Sequence, residues 1–434
     1  MHIVLLSGGS GKRLWPLSND IRSKQFVKLF KNENGDYESM LQRVYRQIKS
    51  VSPDATVTIA TSKSQVSAIK NQLGDKVSVC VEPCRRDTFP AIALATSYLK
   101  DVLNVSKSEA VAICPVDPYV DLSYYETVSE LVKFAECGTQ KLSLMGIEPT
   151  YPSEKFGYII PCSAEKQSKV KEFKEKPNVE KAQEYIKQGA LWNAGVFAFK
   201  VGYLLDKAHE LIDFVDYGDL YKKYETLTKI SFDYAVVEKE NDIQVLRYNG
   251  EWKDIGTWDA MTEVMSDDTK GNVIIDNECK NTKVINELGI PVLCMGCKDM
   301  IVAASSDGIL ITDKSRSGSL KEYAEKIDSE AMYAEKSWGT YNAIDVQPKA
   351  KTVKIFLKSG SSMQYHSHEL RSEVWAVVSG QGKVVLDGVE QKISAGDVVN
   401  VKAGVKHLIE ASTNIELIEI QLGEVLDVND KKKF

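Results

Sequence analysis

The chain has 434 residues, 43% of them hydrophobic and 27% charged, with 55 Lys and Arg against 61 Asp and Glu. That length predicts two or three domains with sizeable cores, and the composition excludes global disorder. A net charge of −6 argues against nonspecific nucleic-acid binding, which rests on neutralising phosphates.

The apolar run after Met1 is too short for a signal-peptide core, and nowhere is there an apolar stretch long enough to span a membrane. Only Cys294 and Cys297 of the eight cysteines form a CxxC. They are read as plain thiols in a reduced cytoplasm. In chain order, His2 to Ser7 is a strand ending in a glycine turn, Met40 to Lys49 a helix and Ala55 to Ala60 a strand. Ser64 to Leu73 is helical, Val77 to Val81 a strand, Pro90 to Leu103 helical, and Ala110 to Pro115 a buried strand ending at Asp117. Alternating β and α units predict an α/β domain, a Rossmann-like mixed and mostly parallel sheet with helices on both faces. Ligands bind beyond the carboxyl ends of such strands.

From about Asn272 short β segments recur: Val273 to Asp276, Thr282 to Asn286, Pro291 to Met295, Ile301 to Ala304 and Gly308 to Thr312. They predict a small β module. The charged stretch Ser319 to Lys336 is read as helical. From Thr352 strands alternate with glycine turns, the spacing of a β-barrel or jelly roll. Lys-rich Asp430 to Phe434 is read as a frayed tail. The expected domains are 1–265, 266–335 and 336–434.

Leu6-Ser7-Gly8-Gly9-Ser10-Gly11-Lys12-Arg13-Leu14 follows the first strand directly. Its glycines let backbone N–H groups approach phosphate oxygens, and Arg13 adds a rigid cationic fork. The loop is neither GxxxxGK[ST] nor GxGxxG. Trp15-Pro16-Leu17-Ser18 and Ser23-Lys24-Gln25-Phe26 come next. Glu82-Pro83, Arg86-Asp87-Thr88, Cys114-Pro115-Val116-Asp117, Phe156-Gly157-Tyr158-Ile159 and Glu175-Lys176-Pro177 follow. Then come Leu191-Trp192-Asn193-Ala194-Gly195, Ser231-Phe232-Asp233-Tyr234-Ala235 and Trp252-Lys253-Asp254-Ile255-Gly256. In this order they resemble the sugar-1-phosphate nucleotidyltransferases, specifically the mannose-1-phosphate guanylyltransferases. Lys12 stands where Thr is common, Ser23 where Pro is, and Pro118 replaces the usual His.

The resemblance implies nucleotidyl transfer. The phosphate of mannose 1-phosphate attacks the α-phosphorus of GTP, pyrophosphate leaves, and GDP-mannose forms for polysaccharide synthesis. The nucleophile is already anionic near neutral pH, so catalysis is positioning plus electrostatics. By resemblance Asp117 and Asp254 hold Mg²⁺, which needs only one or two protein carboxylates. Arg13 and Lys24 are the implied cations on the triphosphate and departing pyrophosphate. Lys176 is expected on the sugar phosphate, Glu175 and Asn193 on sugar hydroxyls, and Asp233 beside a lysine or the sugar. Gly8, Gly9 and Gly157 are expected at the substrates, and Glu82 and Arg86 near base or ribose. A homo-oligomer, a dimer, is the expected assembly.

Three of the five histidines fall late in the chain, at His366, His368 and His407. With Gly360, Glu373, Gly380, Gly396 and Gly404 they resemble the two cupin motifs, Lys402 standing where Pro is usual. His366 and His368 are two apart, hence on one face of a strand. Glu373 and His407 complete a set for a divalent metal, Zn²⁺ or similar. A longer form in this family carries such a cupin as a mannose-6-phosphate isomerase. Gln364 and Arg371-Ser372-Glu373 echo its signature, but two extra residues follow His368 and Val374 replaces a His. Isomerisation, a vestigial barrel, another sugar 1-phosphate and a non-catalytic nucleotide-sugar binding role remain open alternatives.

Overall fold

A computed structural model describes residues 1–9, 11–19, 21–327, 330–427 and 429–434. Packing divides the chain into two compact units. The first comprises residues 1–9, 28–66 and 75–256, the second residues 10–27, 67–74 and 257–434.

The first unit is built on a nine-stranded mixed sheet. His2–Ser7 lies between Thr56–Ser62 and Ala110–Pro115 and is parallel to both; Ser78–Glu82 extends that parallel half. Leu191–Lys200 then runs antiparallel to Ala110–Pro115 and Leu142–Ile147. Ile243–Tyr248 is parallel to Leu142–Ile147, and the far edge is the antiparallel pair Gln167–Lys174 and Tyr158–Pro161. Thr88–Asp101 is buried over most of its surface, as a helix apolar all round must be. Its Phe89, Ile92, Leu94 and Leu99 pack with Val4, Ile113, Leu144 and Phe199 in the main core.

In the second unit, Thr269–Lys270, Lys283–Asn286 and Met300–Ser305 stack in parallel, as do Val273–Ile275 and Val292–Cys294. The expected β module is thus a short parallel coil, closed by Gly308–Asp313 running antiparallel to Met300–Ser305. Gly271 permits one corner, where its φ is +89° and a Cβ would meet the Asn286 carbonyl at 1.9 Å. Cys294 packs inside with Val284 and Val302, and half-buried Cys279 and Cys297 pack against them. The helix expected over Ser319 to Lys336 is shorter. Leu320–Ala324 is helical, residues 328 and 329 lie outside the described residues, and Tyr333–Lys336 is a strand. Pairing of Tyr333–Lys336 with residues 339–342 overrides the local preference for helix.

The barrel is two facing sheets, of six and five strands, closing on Val353, Ile355, Trp375, Val384, Ile409 and Leu417. The expected frayed tail is also corrected. Lys432–Lys433 pairs with His366–Ser367, Phe434 N donates to the Tyr365 carbonyl at 3.1 Å, and Lys406 Nζ sits 4.2 Å above the Phe434 ring. Charge alone suggested fraying; backbone pairing and an aromatic anchor hold the end.

Candidate functional site

In the first unit, the parallel register pairs Leu6 with Pro115. Gly8 and Asp117 therefore emerge at one edge, beyond the carboxyl ends of adjacent strands, where α/β sheets bind ligands. Gly8 and Gly9 are exposed, and a Cβ on either would meet nothing within 4 Å, leaving their backbone open to approach. Ser10 of this loop lies outside the described residues. Pro118–Val120 then pairs antiparallel with Trp252–Asp254, setting Asp254 opposite Pro118. That pairing brings Asp254 beside the residue that follows Asp117. Asp117 is half-buried and Asp254 exposed.

Leu191–Lys200 delivers Asn193 to the same edge, through a bulge between Asn193 and Phe197. Gly195, at φ +68°, allows that turn against Pro115. Asn193 Nδ2 donates to Asp233 Oδ1 at 2.7 Å, and its Oδ1 accepts from Gly195 N at 3.1 Å. The Glu175 side chain is buried and ion-paired to Lys176 at 2.5 Å. A Cβ on Gly157 would come within 2.6 Å of Glu175 Oε2 and 2.9 Å of Phe173 Cζ, so glycine makes room for that carboxylate. Burial and the nearby Glu175 carboxylate push Asp233 up to about 7, against the Asn193 hydrogen bond and the Lys176 charge. Gly157, Glu175, Lys176, Asn193 and Asp233 thus form one cluster. Phe156 borders it, its ring 4.9 Å from that of Trp192 and 5.4 Å from that of Trp252.

Glu82 accepts from the Tyr224 hydroxyl at 2.8 Å, and burial raises its carboxyl above the usual range. Arg86 donates to the Glu225 carbonyl, and its own carbonyl accepts from Ile230 N. It thereby ties down the segment around residues 225–230. The neighbouring Arg85, which sequence reasoning passed over, donates to the Gly9 carbonyl at 2.8 Å. Nothing in two adjacent arginines tells which one faces the loop.

Arg13 and Lys24 belong to the second unit, on the 3₁₀ turns Gly11–Leu14 and Lys24–Phe26. Arg13 is exposed and Lys24 half-buried.

The second unit also holds the histidine cluster. His366 faces His407 across the strand pair, and the ligand atoms of His366, His368 and His407 lie within 4.8 Å of one another. Each ring points Nδ1 at a backbone carbonyl: His366 at Gln364, His407 at Val405 and His368 at Asp430. Nδ1–H donation leaves each Nε2 with a lone pair. Burial pushes His366 down to about 2 and holds His368 and His407 below the ordinary range. The cluster therefore holds three neutral nitrogens, of which His368 Nε2 accepts from Arg371 Nη2 at 3.0 Å. Glu373 lies beside it, 3.3 Å from His368 Nε2 and 3.6 Å from His407 Nε2. It accepts from Arg371 Nε and Trp375 Nε1, each at 3.1 Å. The donor set fits a divalent transition metal, and the neighbouring cavity of 230 Å³ includes Lys336, Lys351, Arg371, Glu419 and Lys431 in its wall. The tail supplies Asp430, whose carboxylate accepts from Glu369 N and Leu370 N, each at 2.9 Å. Among the described residues no helix is long and apolar enough to cross a membrane.

The chain matches a family model described as nucleotidyl transferase over residues 2–271. A second, mannose-6-phosphate isomerase C-terminal, matches residues 324–434. A mannose-1-phosphate guanylyltransferase of Salmonella montevideo is 30% identical, over 99% of this chain and 98% of the relative. The xanthan biosynthesis protein XanB of Xanthomonas campestris pv. campestris (strain B100) is 30% identical, over 99% of this chain and 97% of its own. A crystal structure described as a mannose-1-phosphate geranyltransferase from Thermus thermophilus shares 27% identity with a TM-score of 0.61. It covers 76% of this chain and 99% of that one.

Proposed function

The chain belongs to the mannose-1-phosphate guanylyltransferase family of nucleotidyltransferases, and we propose that it joins GTP and α-D-mannose 1-phosphate into GDP-mannose, releasing pyrophosphate, for surface-polysaccharide synthesis. The observation that carries this reading is the pairing of Pro118–Val120 with Trp252–Asp254, which sets Asp254 opposite Pro118, the residue after Asp117, at the glycine-loop edge. Asp117 and Asp254 would hold Mg²⁺, which when bound supplies positive charge to the phosphate oxygens. The Gly8 and Gly9 backbone receives the nucleotide, with Arg85 steadying the Gly9 peptide. Arg13 and Lys24 neutralise the triphosphate and the departing pyrophosphate. Lys176 takes the sugar phosphate, while Glu175, Asn193 and Asp233 bind and orient the sugar hydroxyls. Because the attacking oxygen is already ionised, no residue is asked to remove its proton.

Residues 1–265 carry transfer, 266–335 link, and 336–434 form the barrel. A second reading gives that barrel aldose–ketose isomerisation of mannose 6-phosphate and fructose 6-phosphate; three converging neutral Nε2 atoms with Glu373 beside them favour it. Location in the cytoplasm follows from the substrate, GTP. A homodimer is favoured by the coil, where exposed Ile274 and Leu293 are strand partners.

The test is pyrophosphate release with Mg²⁺ from each nucleoside triphosphate against several sugar 1-phosphates, with isomerase activity and metal content measured alongside. Release confined to GTP and mannose 1-phosphate is expected. Release with another pair reassigns the substrate, and binding of GDP-mannose without any release makes the protein a binding subunit.

A further inference from the structure

The segment carrying Arg13 and Lys24 has little regular structure of its own. Two 3₁₀ turns, of four and three residues, flank an irregular stretch. Such a segment does not fix its own side chains, so its anchors decide where the two cations stand. Those anchors come from far along the chain. Asn19 Oδ1 accepts from Ile21 N at 2.9 Å and Arg22 N at 2.6 Å, while Nδ2 donates to Asp307 at 2.7 Å and to the Tyr333 carbonyl at 3.1 Å. Arg22 is 5% exposed and grips both oxygens of Glu287, at 2.7 and 3.1 Å, across 265 residues of sequence. Its guanidinium also lies 4.7 Å from the centroid of the Tyr333 ring. The Ser305 hydroxyl donates to the Pro16 carbonyl at 2.7 Å, and Trp258 Nε1 to the Trp15 carbonyl at 3.0 Å. A Cβ on Gly308 would stand 2.5 Å from the Trp15 ring.

A buried ion pair roughly breaks even in stability against an apolar pair of the same shape. What a bidentate arginine–carboxylate contact adds is direction. Here the direction is imposed on the backbone between Arg13 and Lys24, and Arg22 is two residues from Lys24. We propose that Asn19, Arg22, Glu287 and Asp307 are positioning residues for nucleotidyl transfer. The β-coil is thereby a working part of the transferase, holding the triphosphate cations in place. This inference rests on the roles assigned above to Arg13 and Lys24.

The experiment measures the dissociation constant of Mg·GTP and both KM values for the full chain and for Glu287→Gln and Arg22→Lys. Each variant is expected to weaken GTP binding and raise KM for GTP by about 10- to 100-fold, the effect of a small misplacement. KM for mannose 1-phosphate and the metal content of the barrel stay within about twofold, because neither depends on the loop. The two changes act on one contact, so the double variant is no worse than the weaker single one. Asp307→Asn, which loosens the loop through Asn19, gives the same split if Glu287→Gln fails to fold. Unchanged GTP affinity in folded variants of an active protein overturns the inference and leaves the functional reading intact. Equal losses for both substrates make the contact merely structural. A wild-type chain that binds no nucleoside triphosphate overturns the functional reading, and the inference with it.

Discussion

Two clusters in this chain, one half-buried and one fully buried, are prepared in opposite ways. At Glu175, Lys176, Asn193 and Asp233, burial and the Glu175 carboxylate drive Asp233 up to about 7. At His366, His368 and His407, burial acts on imidazoles and drives them down. Desolvation penalises whichever form is charged, so Asp233 and the three imidazoles move toward neutrality. The consequences differ. A carboxyl that keeps its proton adds no negative charge beside Lys176, which leaves room for an anionic sugar phosphate. An imidazole that loses its proton exposes a lone pair, which invites a cation. In the proposed reading the first cluster receives an anion and the second a metal.

The sharpest way to break this comparison is to remove charge from the proposed transfer site and leave the histidines untouched. Asp254→Asn is expected to lower pyrophosphate release by about 10²- to 10³-fold, the scale of losing one preorganised electrostatic contact. Asp254 is exposed, so the thermal midpoint stays put and metal uptake by the barrel histidines is unchanged. Wild-type turnover in that variant would remove Asp254 from the metal site.

The complementary change touches only the second cluster. Asp430 accepts two backbone N–H groups through its carboxylate and presents its own carbonyl to His368 Nδ1. Asp430→Ala frees that carbonyl and with it the orientation of His368. Chelator competition should show divalent-metal affinity falling by about 10- to 100-fold, as for other groups that orient metal ligands. Nucleotidyl transfer stays within a few-fold. Unaltered metal affinity would show that His368 holds its tautomer without the tail.

These two sites were not equally legible in the sequence. Gly8, Asp117, Glu175, Asn193 and Asp233 lie at strand ends or in short motifs; the sheet register gathers Gly8, Asp117 and Asn193 at one edge, and Asp233, on the helix Phe232–Ala235, joins through its bond from Asn193. The three histidines were legible through their resemblance to the two cupin motifs, spacing alone placing only His366 and His368 on one strand face. Asp430 was not, because a lysine-rich end gives no sign that its backbone pairs with His366–Ser367. Arg85 was hidden by its neighbour Arg86, since loop conformation decides which guanidinium meets Gly9. The anchoring of residues 15–26 was hidden for a different reason. Arg22 and Glu287, like Asn19 and Asp307, are joined only by tertiary packing, and no periodicity marks either partner.

The finest test of the comparison is the proton on Asp233. Its folded pKa of about 7 stands above the ordinary value of 3.8, so between those values the folded chain binds more protons than the unfolded one. Stability contributed by this group therefore falls as pH rises through that window. The same ionisation places a second carboxylate charge beside Lys176, where the proposed reading seats the substrate phosphate. KM for mannose 1-phosphate is expected to rise a few-fold between about pH 6.5 and 8.5, although the phosphate itself, with a second pKa of about 6, gains little charge there. KM for GTP should not follow. Asp233→Asn keeps the hydrogen-bonding shape without the titration, so its KM for the sugar phosphate should stay flat with pH and its thermal midpoint should be less sensitive to alkali. A wild-type KM that is flat across this range, or a rise that persists in the Asn variant, would mean that Asp233 is ionised throughout. The two clusters would then differ in ligand type without sharing the desolvation that now explains both.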